Sequence, residues 1–234
     1  MSRGTLAVIP ARGGSKGLPR KNLLAFAGTP LVVRAIEQAK ASRSVDEVVV
    51  STDDAEIAAL AERAGAAVVR RPAELALDGT PTAPVLIHVL EAREAGERPD
   101  RVVTLQPTSP LRLPRHIDEA VGLLTRDFDA VVSVSPVGHS PYKMLSIDGD
   151  TLRPLLEGGP PPGTPRQQLP PVYQENGAVY VTWTRILLEQ RSIWGKRARP
   201  YLMDLESSVD VDTAFDLLYA EAILAAQKTS GGKG

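Results

Sequence analysis

The chain has 234 residues, long enough for one domain to bury its own core without disulfide or metal staples. Its 27 basic and 28 acidic side chains leave a formal net charge of -1, which excludes the global field that draws proteins to nucleic acid or anionic membranes, so any anion site has to be a local cluster. With no cysteine there is no disulfide, thiolate catalysis or cysteine zinc site, and without an apolar run near the roughly 20 residues of a membrane span the expectation is a cytoplasmic protein.

Thr5 to Pro10 is short, apolar and closed by a turn residue, and reads as a buried strand. Glu47 to Thr52, Ala66 to Val69, Arg101 to Gln106 and Ala130 to Pro136 read the same way. Between them Leu31 to Ser42, Ala55 to Ala64, Thr82 to Ala95 and Pro114 to Thr125 carry helical periodicity. This alternation predicts an α/β fold, a mainly parallel sheet with helices on both faces, in which ligands sit beyond the carboxyl ends of the strands. The loops to watch are therefore Ala11 to Asn22, Asp53-Asp54 and Pro107 to Arg112. After Pro136 the pattern breaks into a short hairpin, Pro141 to Leu152, and a Gly/Pro-rich loop, Glu157 to Pro165, an excursion from the sheet over 137–176. Gly177 to Trp183 alternates like a further strand, Thr184 to Gln190 reads as a short helix and Thr213 to Gln227 as a closing one. One domain over 1–228, followed by a disordered tail from Thr229 to Gly234, completes the reading.

The loop after the first strand places Gly13, Gly14 and Gly17 beside Arg12, Lys16, Arg20 and Lys21. Glycines let backbone N–H groups turn toward an anion and the cations neutralise it, which is the chemistry of a polyphosphate cradle. The spacing fits neither a Walker A loop nor GxGxxG. Near the other end, Asp210 and Asp212 are two apart in an extended stretch, so both carboxylates project to one side. They suit a hard cation such as Mg²⁺, with capping of the last helix by Asp212 or Thr213, and Asp216 in its first turn, as the competing account. His116 is expected on a helix surface.

The opening Val8-Ile9-Pro10-Ala11-Arg12-Gly13-Gly14-Ser15-Lys16-Gly17-Leu18-Pro19-Arg20-Lys21-Asn22 resembles that of the acylneuraminate cytidylyltransferases, the CMP-sialic acid synthetases. The resemblance continues through Ser51-Thr52-Asp53-Asp54, Arg71 to Ala76, Leu105-Gln106-Pro107-Thr108-Ser109-Pro110-Leu111-Arg112, Arg166-Gln167-Gln168-Leu169-Pro170, Asn176 to Tyr180 and Asp210-Val211-Asp212. It implies a Rossmann-like nucleotidyltransferase, a three-layer sandwich, working as a homodimer whose dimerisation segment falls on the 137–176 excursion. It implies that Arg12, Lys16, Lys21, Asn22 and Arg71 bind CTP, with Thr82 where relatives often carry a serine near the cytosine ring; the neighbouring Pro81 and Pro84 depart from that pattern. The second substrate it implies, a nine-carbon sugar acid, needs cationic, amide and phenol partners, which Gln106, Lys143, Arg166, Gln168, Asn176 and Tyr180 supply. The implied reaction is attack of the anomeric hydroxyl on the α-phosphorus of CTP, with Mg²⁺ on Asp210 and Asp212 and with Arg12 and Lys21 complementing the growing phosphate charge. Kdo, legionaminic or pseudaminic acid as acceptor, guanylyl transfer, and a non-catalytic nucleotide-binding module stay open as alternatives.

Overall fold

The computed structural model describes residues 4–14 and 17–231. Its central sheet has seven strands, β1 (Thr5–Pro10), β2 (Glu47–Thr52), β3 (Ala67–Arg70), β4 (Arg101–Thr104), β5 (Ala130–Pro136), β6 (Tyr173–Trp183) and β7 (Ala198–Leu202), in the order β7-β5-β6-β4-β1-β2-β3. Neighbours pair in parallel, except that β6 runs antiparallel to both β4 and β5. The helices are α1 (Leu31–Lys40), α2 (Ala55–Arg63), α3 (Thr82–Glu91), α4 (Pro114–Leu123), α5 (Thr184–Gln190) and α6 (Ala214–Gly231).

Alternation along the strands divides the core between the two faces of the sheet, since successive side chains point to opposite sides. Ala7, Ile9, Val48, Val50 and Val103 face Ile36 of α1, Ile57 of α2 and Ile117 of α4. Leu6, Val8, Val49 and Val102 face Leu86 and Leu90 of α3 and Leu187 of α5. The α/β, three-layer expectation is thus met. A third cluster joins Phe26, Leu31, Leu111, Val209, Val211 and Ala220 of α6, with Leu18 against it. This last cluster ties the first loop, the loop after β4 and the Asp210 segment to one apolar base.

Several boundaries differ from the sequence reading. β7 has no counterpart there, because Arg199 and Pro200 interrupt its apolar pattern; a proline is tolerated where a strand is paired on one side only, and β7 is the sheet's edge. β6 begins at Tyr173, where Tyr173 to Glu175 pair with Pro136 to Val134, so the excursion spans 137–172. Its hairpin is Leu145–Asp148 against Thr151–Pro154. The closing helix runs to Gly231, into the stretch expected to lack structure, and Thr229 donates its hydroxyl to the Ala226 carbonyl at 2.8 Å within it. His116 is buried rather than on the surface: its Nδ1 accepts the Leu113 N–H at 3.2 Å, closing the start of α4, and burial depresses its pKa. No helix among the described residues is long and apolar enough to cross a membrane.

Candidate active site

The chain moves outward from β1 to β2 and β3 and then returns to lay β4 on the other side of β1. That reversal parts the loops at the carboxyl ends of β1 and β4 and opens a crevice between them. A cleft of about 300 Å³ lies there, lined by Arg12, Lys21, Asn22, Arg71, Thr82 and Gln106 among others. All the nucleotide-binding candidates line it save Lys16, which lies outside the described residues.

Each wall has an identifiable support. The Asn22 side chain, buried, donates to the Arg12 carbonyl at 2.8 Å and so closes the first loop on itself. The Gly13 N–H donates to Asp53 Oδ1 at 3.0 Å, and a Cβ at Gly13 would lie 2.6 Å from Asp54 Oδ2, so only glycine lets the loop lie on the start of α2. Arg20, left-handed at φ 54°, does not face the cleft; it pairs with Asp54 and Glu56, and its turn sends Lys21 inward. Arg71 is buried, donating to the Ser51 carbonyl at 2.7 Å and to Ser51 Oγ. Burial, reinforced by Arg12 and opposed by Asp53, lowers its pKa to about 10, which leaves it charged at neutral pH.

The Asp210 segment hooks onto the loop after β4 through the Val211 N–H and the Thr108 carbonyl, 2.8 Å apart. Val209 and Val211 point into the third core cluster, and the aspartates alternate with them. Lys21 Nζ meets Asp212 Oδ1 at 2.6 Å, and a Cβ on Gly17 would stand 2.7 Å from the Asp212 carbonyl oxygen, so the first loop and this segment touch. Of the two capping candidates, Thr213 rather than Asp212 caps α6, together with Asp216: Asp216 accepts the Thr213 N–H at 2.7 Å and the Asp212 N–H at 3.1 Å, while Thr213 Oγ1 accepts the Asp216 N–H at 3.3 Å. The Asp212 carboxylate is therefore left to Lys21, while neither Asp210 nor Asp212 is among the residues that line the cleft. Asp210 keeps a solvent-facing side, yet desolvation by the surrounding walls raises its pKa, with repulsion from Asp212 and Asp216 adding to it and Thr108 and Lys21 opposing. Among the described residues no group of three or more His, Cys, Asp or Glu side chains could hold a metal ion. Asp210 and Asp212, whose charges repel, have the oxygen chemistry a hard cation would use, one of them being already salt-bridged to Lys21.

The acceptor candidates separate. Gln106 lines the cleft, and Thr108 Oγ1 bridges toward it, 3.5 Å from Gln106 Oε1 and within hydrogen-bonding reach of Asp210. Gly177, at φ +71°, lies so close that a Cβ would meet Gln106 Oε1 at 3.1 Å. Tyr180 is buried, donates to Glu175 Oε2 at 3.2 Å, and has its pKa raised by burial and by Glu175, so the phenol keeps its proton. Asn176 is not presented to a ligand: Oδ1 accepts from Ser133 Oγ at 2.6 Å and the Ala178 N–H, and Nδ2 donates to Ser208 Oγ, which makes it a brace at the irregularity of β6. Lys143, Arg166 and Gln168 belong to the excursion and do not line the cleft; Lys143 borders a separate hollow with Tyr142 and Leu169.

One residue without an assigned role holds this architecture. Arg112 is fully buried, and its guanidinium donates to the Gln106 carbonyl at 3.1 Å, the Ala178 carbonyl at 2.8 Å and Gln38 Oε1 at 2.8 Å. Desolvation, with Arg34 nearby, lowers its pKa to about 9. The signal in the sequence is an arginine set between Leu111 and Leu113.

A family model described as cytidylyltransferase matches residues 6–146. The CMP-N,N'-diacetyllegionaminic acid synthase of Legionella pneumophila is 36% identical over 94% of this chain and 95% of its own length. The N-acylneuraminate cytidylyltransferase of Streptococcus agalactiae is also 36% identical, over 92% of this chain, which spans 52% of that longer protein. Among solved structures, a CMP:2-keto-3-deoxy-manno-octonic acid synthetase complexed with CTP superposes with a TM-score of 0.72 at 19% identity, over 96% of this chain and 99% of that one, a likeness of fold.

Proposed function

Since the chain belongs to the cytidylyltransferase family, we propose that it transfers CMP from CTP to the anomeric hydroxyl of a sialic-acid-like nonulosonic acid and releases pyrophosphate. The observation that carries this reading is convergence: Arg12, Lys21, Asn22, Arg71 and Thr82 line one cleft, and Lys21 reaches from it to Asp212. Legionaminic and acylneuraminic acids, named for the relatives, set the acceptor class.

Arg12, Lys21 and Arg71 bind the triphosphate, and Thr82, at the first turn of α3, offers a hydroxyl to the base. As the acceptor oxygen bonds to the α-phosphorus, its proton passing to solvent, and the bond to the pyrophosphate oxygen breaks, negative charge moves onto the leaving group. Lys21, already positioned by Asp212, complements that charge without having to reorganise. Asp210 and Asp212 would hold Mg²⁺, whose chemistry is to neutralise phosphoryl oxygens and lower the pKa of a bound hydroxyl. Gln106, held by Arg112 and hemmed in by Gly177, serves the acceptor half, with Tyr180 buried behind it on β6.

The working unit in this reading is a cytoplasmic homodimer. Leu145, Ile147 and Leu152 share one face of the excursion hairpin and are 53%, 79% and 65% exposed, an apolar surface suited to a second copy. Crossing of that hairpin brings Lys143, Arg166 and Gln168 to a neighbour's acceptor pocket. Pyrophosphate release measured with CTP and GTP against a panel of nonulosonic acids and Kdo tests the function: turnover confined to CTP and a nine-carbon acid is expected, and turnover with none of them removes the reading. A fully active monomer in sedimentation removes the dimer.

A further inference from the structure

Among the described residues that line the cleft, one is a carboxylate: Asp78, whose Oδ1 is 2.6 Å from Nη1 of Arg12. Negative charge here opposes the binding of a polyphosphate, so its presence in the cleft calls for an account. Asp78 lies in the turn between the short helix Ala73–Leu75 and α3, where the Thr80 N–H closes on the Leu77 carbonyl at 3.1 Å. Its side chain is 40% exposed and that of Arg12 28%, so the pair is open to exchange with an entering ligand. The two ends of Arg12 are held differently. Asn22 fixes its backbone carbonyl, while the guanidinium can turn about its own side-chain torsions from one anion to another.

A carboxylate offers a guanidinium the same paired oxygen acceptors as a phosphate, and the two can replace one another on a single arginine. We propose that Asp78 is an internal stand-in for phosphate: it holds Arg12 between turnovers, yields it when the triphosphate enters, and takes it back as pyrophosphate leaves. The inference rests on the reading that this cleft takes the triphosphate of CTP. Its effect is to weaken substrate and product alike, which speeds product departure without altering the bond-making step.

Calorimetric binding of inorganic pyrophosphate alone is the test, because that ligand has phosphates but no ribose or base. A half-exposed ion pair of this kind is worth roughly 0.2–1 kcal/mol, so Asp78→Asn is expected to bind pyrophosphate up to about fivefold more tightly than the parent. Asp78→Ser should do the same, and both should show a lower KM for CTP and stronger product inhibition. In an Arg12→Ala background the gain should vanish. An equal gain in that background would mean that Asp78 acts through its field rather than through Arg12, and would overturn the exchange. Unchanged pyrophosphate binding together with weakened CTP binding would make Asp78 a ribose or base contact, and would also overturn it. Failure of the parent enzyme to bind pyrophosphate at all would instead remove the assignment of the cleft.

Discussion

Replacing Asp212 and Asp216 separately distinguishes a carboxylate that serves the reaction from one that serves the helix. Asp216 accepts the Thr213 N–H and hydroxyl at 2.7 and 2.8 Å and the Asp212 N–H at 3.1 Å, whereas Asp212 Oδ1 meets Lys21. Loss of an N-terminal helix cap costs about 1–2 kcal/mol, and at this chain length each kcal/mol moves Tm by about 2–4 °C. Asp216→Ala should therefore melt about 2–8 °C lower while keeping most of its turnover per folded molecule. Asp212→Asn gives up a pair whose carboxylate side is 67% exposed, and screening by water leaves it little weight in stability. Its cost falls on turnover: loss of a charge-assisted contact worth about 1.5–3 kcal/mol lowers kcat roughly ten- to a hundredfold. Differential scanning fluorimetry and pyrophosphate release on the same samples separate the two. The pH dependence adds a sign. Burial pulls the Asp216 pKa up, but the bonds from Thr213 and Asp212 outweigh it and hold the pKa below the usual carboxylate value. Its stabilisation is thus full above about pH 4 and fades as pH falls through the folded-state pKa, so the Tm gap to Asp216→Ala should close there. An Asp212→Asn variant that melted lower than Asp216→Ala yet turned over normally would refute this assignment.

Two further outcomes follow from the same segment. Val211 is 0% exposed, and Val211→Ala removes two methyl groups at about 0.8 kcal/mol each plus a cavity term, so Tm should fall by about 4–8 °C, and kcat should fall with it because the aspartates lose their base. Asp210→Asn should raise Tm at neutral pH while abolishing turnover, since the folded state disfavours the Asp210 charge and an amide relieves it; a lower Tm would show that Asp210 is held by attractions instead.

The parts of the fold most legible in the sequence are those where one physical demand sets the residue types. β1, β2 and β5 are buried on both faces and are written as apolar runs; α1, α2 and α4 each show a single apolar stripe, whereas α3 is buried on most sides. β7 escaped because an edge strand accepts Arg199 and Pro200, and the start of β6 because Tyr173 to Glu175 are exposed though paired to β5. That Arg12, Lys21 and Arg71 would share one cleft was legible in part for a similar reason: an anion cradle draws on glycine and cations, and such a cluster follows β1. What the sequence hides is where a polar side chain spends its hydrogen bonds. Arg20 has the composition of a phosphate ligand and pairs with Asp54 and Glu56; Asn176 has that of a sugar ligand and braces the sheet; Arg112, which has no assigned partner in the linear pattern, secures Gln106 from beneath. Those assignments depend on contacts between residues as distant as Gln38 and Arg112.

The single reversed strand has an evolutionary consequence. Because β6 runs against β4 and β5, the chain leaves the sheet at the end of β5 and re-enters it at the start of β6 on the same edge, beside the loops that follow β1 and β4. The insert therefore begins and ends at the reacting edge, and it can be lengthened, shortened or exchanged without re-registering any strand. Doubling the length of such a connection costs only about 0.6 kcal/mol in closure entropy. On the proposal that the excursion meets the acceptor, a graft at this one seam would redirect the same nucleotide chemistry to a new sugar.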